Sequence, residues 1–292
     1  MKVHGFEQLT CPLEKQPLVQ NLQGWQCLHG HQFDRAKQGY VNLLPVQHKR
    51  SLNPGDNKEM VRARKNFLDT KHYAPVASTL SRLVVEHVVA SARQEASYLD
   101  AGCGEGYYLN EFITHTQAID QALGTKTKIS LLGLDISKWA IQAAAKRTKS
   151  VQWVVGSNAH LPVADVSFDV VSVVFGFPVY EEFARILKPL GLLIVVEPTP
   201  RHLHELRALI YPEVTQTERP KITAPPGFEV KEVEALCFQI NLNNNADILD
   251  LLAMTPHVHR ITPGALAKLK QVQQLTVTVD MQFVVYMRVG TL

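Results

Sequence analysis

Three glycines at alternate positions, Gly102, Gly104 and Gly106, follow Asp100 in the run YLDAGCGEGYYL. A turn without side chains lets a ligand approach the backbone closely and takes up φ values that a Cβ forbids. The spacing is G-x-G-x-G. A dinucleotide site uses G-x-G-x-x-G and rests a pyrophosphate on a positively polarised helix N-terminus. Here carboxylates stand before and within the loop, Asp100 and Glu105, and carboxylates suit a cation. A sulfonium with an α-amino group, as in S-adenosylmethionine, is such a ligand. Asp135 closes the next apolar run, where an acidic side chain can accept from two ribose hydroxyls. Asn158, Ala159 and His160 follow the run after that, a place for adenine to dock by its edge. Each piece alone is common in doubly wound folds; their order and spacing together are informative.

A second set of chemistry-bearing residues lies between Thr10 and Asp34, in TCPLEKQPLVQNLQGWQCLHGHQFD. Cys11 and Cys27 have the flanks of a small metal-bound knuckle, but Glu14 occupies the place of a second thiolate. His31 offers an imidazole, and His29 and His4 are further nitrogens nearby. Zinc accepts carboxylate oxygen, although closed structural sites favour sulfur and imidazole. The alternative is a knuckle held by packing Trp25, Phe33 and Tyr40 against a larger domain.

The elements that position these groups follow from apolar spacing. Residues 1–46 are turn-rich and too few for a core of their own. Residues 47–72 form a basic, Pro/Gly-broken connector that turns helical after Asp56, and 73–292 alternate helix with strand. Ala74 to Ala92 has helical spacing. SYLDAG, SLLGLDIS, VQWVVGS, FDVVSVVF and GLLIVVEPTP are apolar strands without alternation, with helices at 139–149 and in EEFARILKP, stopped at Pro189. Such strands indicate a parallel sheet covered on both faces. LTVTVDMQFVVYMRV alternates with period two, as an antiparallel edge strand with one wetter face would. The expected class is therefore α/β: a doubly wound, mostly parallel sheet with an antiparallel C-terminal hairpin, plus a small N-terminal Cys/His unit.

With 292 residues and 46% hydrophobic content the chain can bury a full core, and a net charge of +3 gives no global argument for nucleic acid. The local argument is stronger. His48, Lys49, Arg50, Lys58, Arg62, Arg64 and Lys65 fall close together, with Asp56 and Glu59 as the acids among them, a pattern that can follow a phosphate backbone. Four scattered cysteines do not suggest a disulfide framework. With no apolar leader and no run long enough to cross a bilayer, a cytoplasmic protein without a membrane partner is expected.

The segments HQFDRAKQGYVNLLPVQHKRS, GCGEGYY, AAAKR, RILKP, PRHLHEL and LLAMTP resemble the bacterial 23S rRNA (guanine-N1)-methyltransferases over nearly the whole chain. The resemblance implies a seven-stranded Rossmann-like methyltransferase domain using S-adenosylmethionine, a zinc domain for RNA recognition, and a homodimer whose cleft takes a 23S rRNA hairpin, in the helix 35 region. It implies cofactor contacts at Tyr73, Gly104, Glu105 and His202, beside Asp100, Gly102, Gly106, Asp135, Asn158 and Ala159. The basic run of the connector supplies the candidate RNA contacts Lys49, Arg50, Arg62, Arg64 and Lys65. The family's zinc pattern is C-x2-C, a spacer, then C-x3-H, of which this chain keeps Cys11, Cys27 and His31, with Glu14 at the remaining position.

Enzymes that methylate exocyclic amines carry an N/D-P-P-Y type turn after the fourth strand. Phe175, Gly176, Phe177 and Pro178 stand there instead, which leaves a ring nitrogen as target and two phenylalanines able to stack on an unpaired base. Guanine N1 must lose a proton; Glu105, His160, Glu197 and His204 are the candidate bases. A small-molecule methyltransferase and a noncatalytic RNA-binding module with a relic pocket are the competing readings.

Overall fold

The structure, a computed structural model, describes residues 1–49, 51–123, 127–213 and 221–290; Arg50, one of the basic candidates, lies outside the described residues. The N-terminal part carries β1 (Lys2–Gly5), β2 (Leu18–Gln20), β3 (Gly24–Cys27), β4 (Gln32–Asp34), β5 (Val41–Asn42) and α1 (Lys58–Asp69). Then follow α2 (Ala74–Ala90), β6 (Glu95–Ala101), α3 (Tyr107–Leu123), β7 (Lys128–Asp135), α4 (Lys138–Arg147), β8 (Gln152–Val155), β9 (Phe168–Val174), α5 (Tyr180–Ile186) and β10 (Leu187–Pro198). The chain closes with α6 (His204–Ile210), β11 (Phe228–Leu242), α7 (Asn245–Ala253), α8 (Pro263–Leu269) and β12 (Leu275–Arg288).

The apolar runs read from the sequence become the parallel strands β6 to β10, whose side chains are buried on both faces of the sheet. The order is β11-β12-β10-β9-β6-β7-β8-β5, with β1 paired to β7 in a nine-stranded sheet. The chain enters at β6, runs out to β8 and returns to β9 on the other side of β6. The crevice at the carboxyl ends of β6 and β9 is thus the switch point, where ligands of such sheets bind.

Two expectations need correction. The N-terminal residues are not a separate unit ending at residue 46: β1 adds to β7 and β5 to β8, both in parallel. Only β2, β3 and β4 form their own sheet. Cys11, Leu18, Trp25 and Cys27 share one apolar cluster with Leu99, Leu132 and Val154 of the main sheet, so a segment too small to bury a core borrows one. Trp25 and Tyr40 are buried accordingly, and Phe33 packs at the margin.

The second correction is that β12 is not an edge strand. It lies between β10 and β11, antiparallel to both, and its alternating polar side chains are buried. Their partners are internal: Thr278 Oγ1 donates to Glu205 at 2.6 Å, and the Thr278 N–H to the other oxygen of that carboxylate at 2.8 Å. The edge is β11, whose outward face is exposed.

Candidate cofactor pocket and metal centre

The glycine loop is held from below by β7. The N–H groups of Gly102 and Cys103 both donate to Leu134 O, and that of Gly104 to Asp135 Oδ2 at 2.9 Å. Gly106, at φ +83, packs so closely on α4 that a Cβ would lie 2.9 Å from the Ala144 Cβ and 2.8 Å from the Trp153 ring. Gly102, at φ +88, instead faces open space, with Asn158 Nδ2 at 4.0 Å from where its Cβ would stand. One glycine therefore serves packing and the other keeps a cradle open.

Asp135 ties the glycine loop to the start of α4. Its Oδ1 accepts from the Ser137 N–H at 2.7 Å while Oδ2 holds the loop, and each oxygen keeps a second lone pair for hydroxyl donors. Asp100 is fixed by a relay that sequence reasoning did not find. Tyr98 and Ser172 share a 2.9 Å hydrogen bond, and the Ser172 hydroxyl donates to Asp100 Oδ1 at 2.9 Å across the β6–β9 register. Glu105 folds inward, paired with Arg147 of α4, whose guanidinium also reaches Asp69 at 2.7 Å. Nothing near Arg147 in the sequence announces that pairing.

Among the described residues, buried atoms without a hydrogen-bond partner are few, and Asp100 Oδ2, Glu105 Oε1, Asn158 Oδ1 and the Tyr73 hydroxyl are among them. The first three are acceptors lacking donors, at the rim formed by the β6 end, the glycine loop and the turn after β8. An unmade hydrogen bond at a buried acceptor is costly, so the rim fits a ligand that brings an ammonium, ribose hydroxyls and an adenine amine. S-adenosylmethionine brings all of these. Ala159 and His160 complete the turn, their N–H groups held by Ser157.

The connector forms one wall. His48 lies against His160 with centroids 4.6 Å apart and planes tilted by 38°, Asp56 O accepts from the Ser137 hydroxyl at 2.7 Å, and Arg64 pairs with Asp56 and donates to Met254 O at 3.2 Å. Arg64 thus turns toward Gly104, whose Cβ would lie 3.8 Å from its Cδ, because the Asp56 carboxylate draws it inward. Arg62 and Lys65 stay on the exposed face of α1, Lys65 beside Asp69, and Lys49 is half-buried.

The opposite wall is aromatic. Tyr73 at the start of α2, Phe175 after β9 and His202 before α6 come together with centroid separations of 6.1 to 6.5 Å. Burial holds the His202 imidazole down at about 4, with Asp280 opposing. Its Nδ1 accepts from the Asp280 N–H at 3.3 Å, so the neutral ring carries its proton on Nε2. Of the candidate bases, Glu105 is engaged by Arg147, His160 lies against the His48 ring, and His204 opens α6; Glu197 lies near the end of β10, in the strand beside Phe175.

Cys11, Glu14, Cys27 and His31 bring four ligand atoms within 4.8 Å of one another. His31 Nδ1 lies 3.4 Å from Cys27 Sγ, 3.7 Å from Cys11 Sγ and 3.6 Å from Glu14 Oε2. Zinc about 2.3 Å from sulfur and about 2.0 Å from nitrogen or oxygen gives tetrahedral edges of roughly 3.5 Å, so the donor set fits zinc. His29 stays outside the set with its Nδ1 2.5 Å from Glu14 Oε2, the place of an outer partner that orients a ligating carboxylate. His4 bonds the neighbouring Gly5 carbonyl instead. No helix among the described residues is long and apolar enough to cross a membrane.

Residues 9–52 match a zinc-ribbon family model described as RlmA, N-terminal, and residues 92–240 match a methyltransferase domain model. The chain is 30% identical over 263 residues to YxjB of Bacillus subtilis, whose name carries 23S rRNA (guanine-N(1)-)-methyltransferase, covering 89% of each chain. It is 36% identical to a similarly named protein of Micromonospora griseorubida over 68% of each chain. It is 30% identical to the 23S rRNA (guanine(748)-N(1))-methyltransferase of Streptomyces fradiae, over 92% of this chain and 91% of that one.

Proposed function

From membership of the 23S rRNA (guanine-N1)-methyltransferases, to which the chain belongs, we propose that it methylates N1 of a guanine in a 23S rRNA hairpin of the helix 35 region. It would act as a homodimer in the cytoplasm. The observation that carries this reading is the set of donorless buried acceptors at the switch point, beside a post-β9 turn that lacks the amine-accepting sequence.

S-adenosylmethionine supplies an electrophilic methyl group on sulfur. The residues that would hold it are Asp100 and Glu105 toward the amine, Asp135 toward the ribose, and Asn158 with Ala159 toward the adenine. Gly102, Gly104 and Gly106 form the floor, with Tyr73 and His202 at the methionine end. Methyl transfer by in-line displacement asks the protein for register and exclusion of water, and the connector and the aromatic wall enclose the pocket for that purpose. The knuckle, the exposed cations Arg62 and Lys65 and the half-buried Lys49 would meet the RNA.

Primer extension tests the reaction, because a methyl on guanine N1 blocks pairing. Unmodified 23S rRNA incubated with the protein and S-adenosylmethionine is expected to give one new stop in the helix 35 region. Uninterrupted extension across the whole rRNA would overturn the reading.

Cofactor binding should depend on pH through Asp100. Burial pushes its carboxyl up to about 7 from 3.8; the Ser172 hydroxyl opposes the shift and Asp135 adds to it. An ammonium needs the ionised carboxylate, so S-adenosylhomocysteine affinity is expected to fall about tenfold per unit below pH 7 and to level off above pH 8. In the ligand-free protein the sign is opposite. The native state keeps a proton that the unfolded chain releases, so this group's contribution to stability is lost as pH rises from about 4 to about 7. Calorimetry across this range checks it, and a flat affinity profile would remove Asp100 from the amine.

A further inference from the structure

We infer that Phe177 is a wedge that enters the rRNA hairpin and takes the place of the target guanine while that base stands in the site. The inference rests on the rRNA reading above and concerns a residue to which neither the fold nor the pocket gives a role. Phe177 is 93% exposed, more than any other aromatic side chain among those described as exposed and large, and Phe175 two residues earlier is 41% exposed.

The backbone shows why it projects. Phe175 ends the strand in the left-handed region, φ +54, without being glycine, while its N–H still bonds Val196 O at 3.0 Å. Strain of this kind persists where the surroundings over-determine it. It turns the chain out of the sheet at the switch point. Pro178 then restricts the Phe177 backbone to an extended conformation, so the exposed ring leaves a turn whose Gly176 lies beside the end of β6, its Cβ position 3.9 Å from Ala101 O.

The geometry matches what the reaction demands. Guanine N1 lies on the pairing edge, so in a paired stem an enzyme reaches it only after the base has left its stack. The base that leaves can rest on Phe175, whose ring lies against His202 with centroids 6.1 Å apart and planes 23° apart. The gap it leaves needs an apolar filler, as inserted side chains provide in kinked duplexes. Burying an exposed phenylalanine returns free energy of the same order as unstacking one base. Arg201, next in the chain to His202, has a side chain 74% exposed; its Nε lies 3.9 Å from the buried Asp280 carboxylate, and the exposed remainder of its guanidinium favours a phosphate-bearing occupant over an apolar protein surface.

The test uses the full-length protein, the F177A and F177W variants, and two synthetic helix 35 hairpins. In one the guanine mapped by primer extension is paired; in the other it faces an abasic site. F177A is expected to lose about thirtyfold in kcat/KM on the paired hairpin and to come within about threefold of the unaltered protein on the abasic one. F177W should keep most activity on both, and S-adenosylhomocysteine affinity should not change in either variant. Equal activity of F177A on the paired hairpin, or an equal loss on both hairpins, overturns the wedge and leaves the rRNA reading intact. Failure of the unaltered protein to methylate either hairpin would instead sink the rRNA reading and take the wedge with it.

Discussion

Replacing Asp135 by alanine is expected to weaken S-adenosylhomocysteine binding about a hundredfold, near 2.7 kcal/mol. The side chain is an anchor as well as a ligand group. It accepts the Gly104 N–H with one oxygen and the Ser137 N–H with the other, so its loss leaves the glycine loop and the start of α4 with unmatched donors. It also removes the carboxylate that would grip the ribose. Asp135→Asn keeps one oxygen acceptor and should lose about tenfold, midway between the two. Calorimetry gives both affinities, and thermal denaturation of each variant reports whether the loop has collapsed. Binding by the alanine variant within threefold of the unaltered protein would show that the loop stands without this anchor and that the sugar is held elsewhere.

Cys27→Ser should separate the two halves of the activity. Removing one of two thiolates from a site that already carries a carboxylate leaves too little soft donor for tight zinc. Zinc content is therefore expected to fall from about one per chain to below about a tenth. Methylation of 23S rRNA should drop about a hundredfold, while S-adenosylhomocysteine affinity stays within about twofold, because the partners that hold Asp100, Glu105 and Asp135 are Ser172, Arg147, Gly104 and Ser137 and include no metal ligand. Elemental analysis of protein purified without a metal-affinity tag, together with tritium transfer from the methyl donor, measures both. Full rRNA activity in a zinc-free variant would end the recognition role of the knuckle. A parallel loss of cofactor binding would mean that the shared core of Cys11, Trp25 and Leu132 transmits the damage to the sheet.

The parallel strands were legible because strands covered on both faces have no polar alternation to obscure them. The donor sets were legible for a similar reason: Gly102, Gly104 and Gly106, or Cys27 and His31, lie within one turn, so spacing alone places them together. The long strand β11 was not. Its Glu229, Lys231, Glu232 and Glu234 look like a solvated segment, and the register shift between Val230 and Glu232 breaks the period. Conversely, the alternation in β12 suggested water where the polar side chains in fact meet Glu205 and buried neighbours. A sequence records polarity but not whether its partner is solvent or protein.

By itself, then, the sequence determined the fold class, the glycine loop with its acids and the pair Cys27 and His31, since each is a matter of local spacing or of continuous apolarity; the fold is what brings Cys11 and Glu14 to that pair. Tertiary structure decided the rest: that β1 and β5 join the main sheet, that Arg64 faces the glycine loop while Arg62 faces water, and that Tyr73, Phe175 and His202 form one wall. The physical reason is the same in each case. These contacts join residues far apart along the chain, and only the packing of elements on both faces of the sheet fixes which way each side chain points.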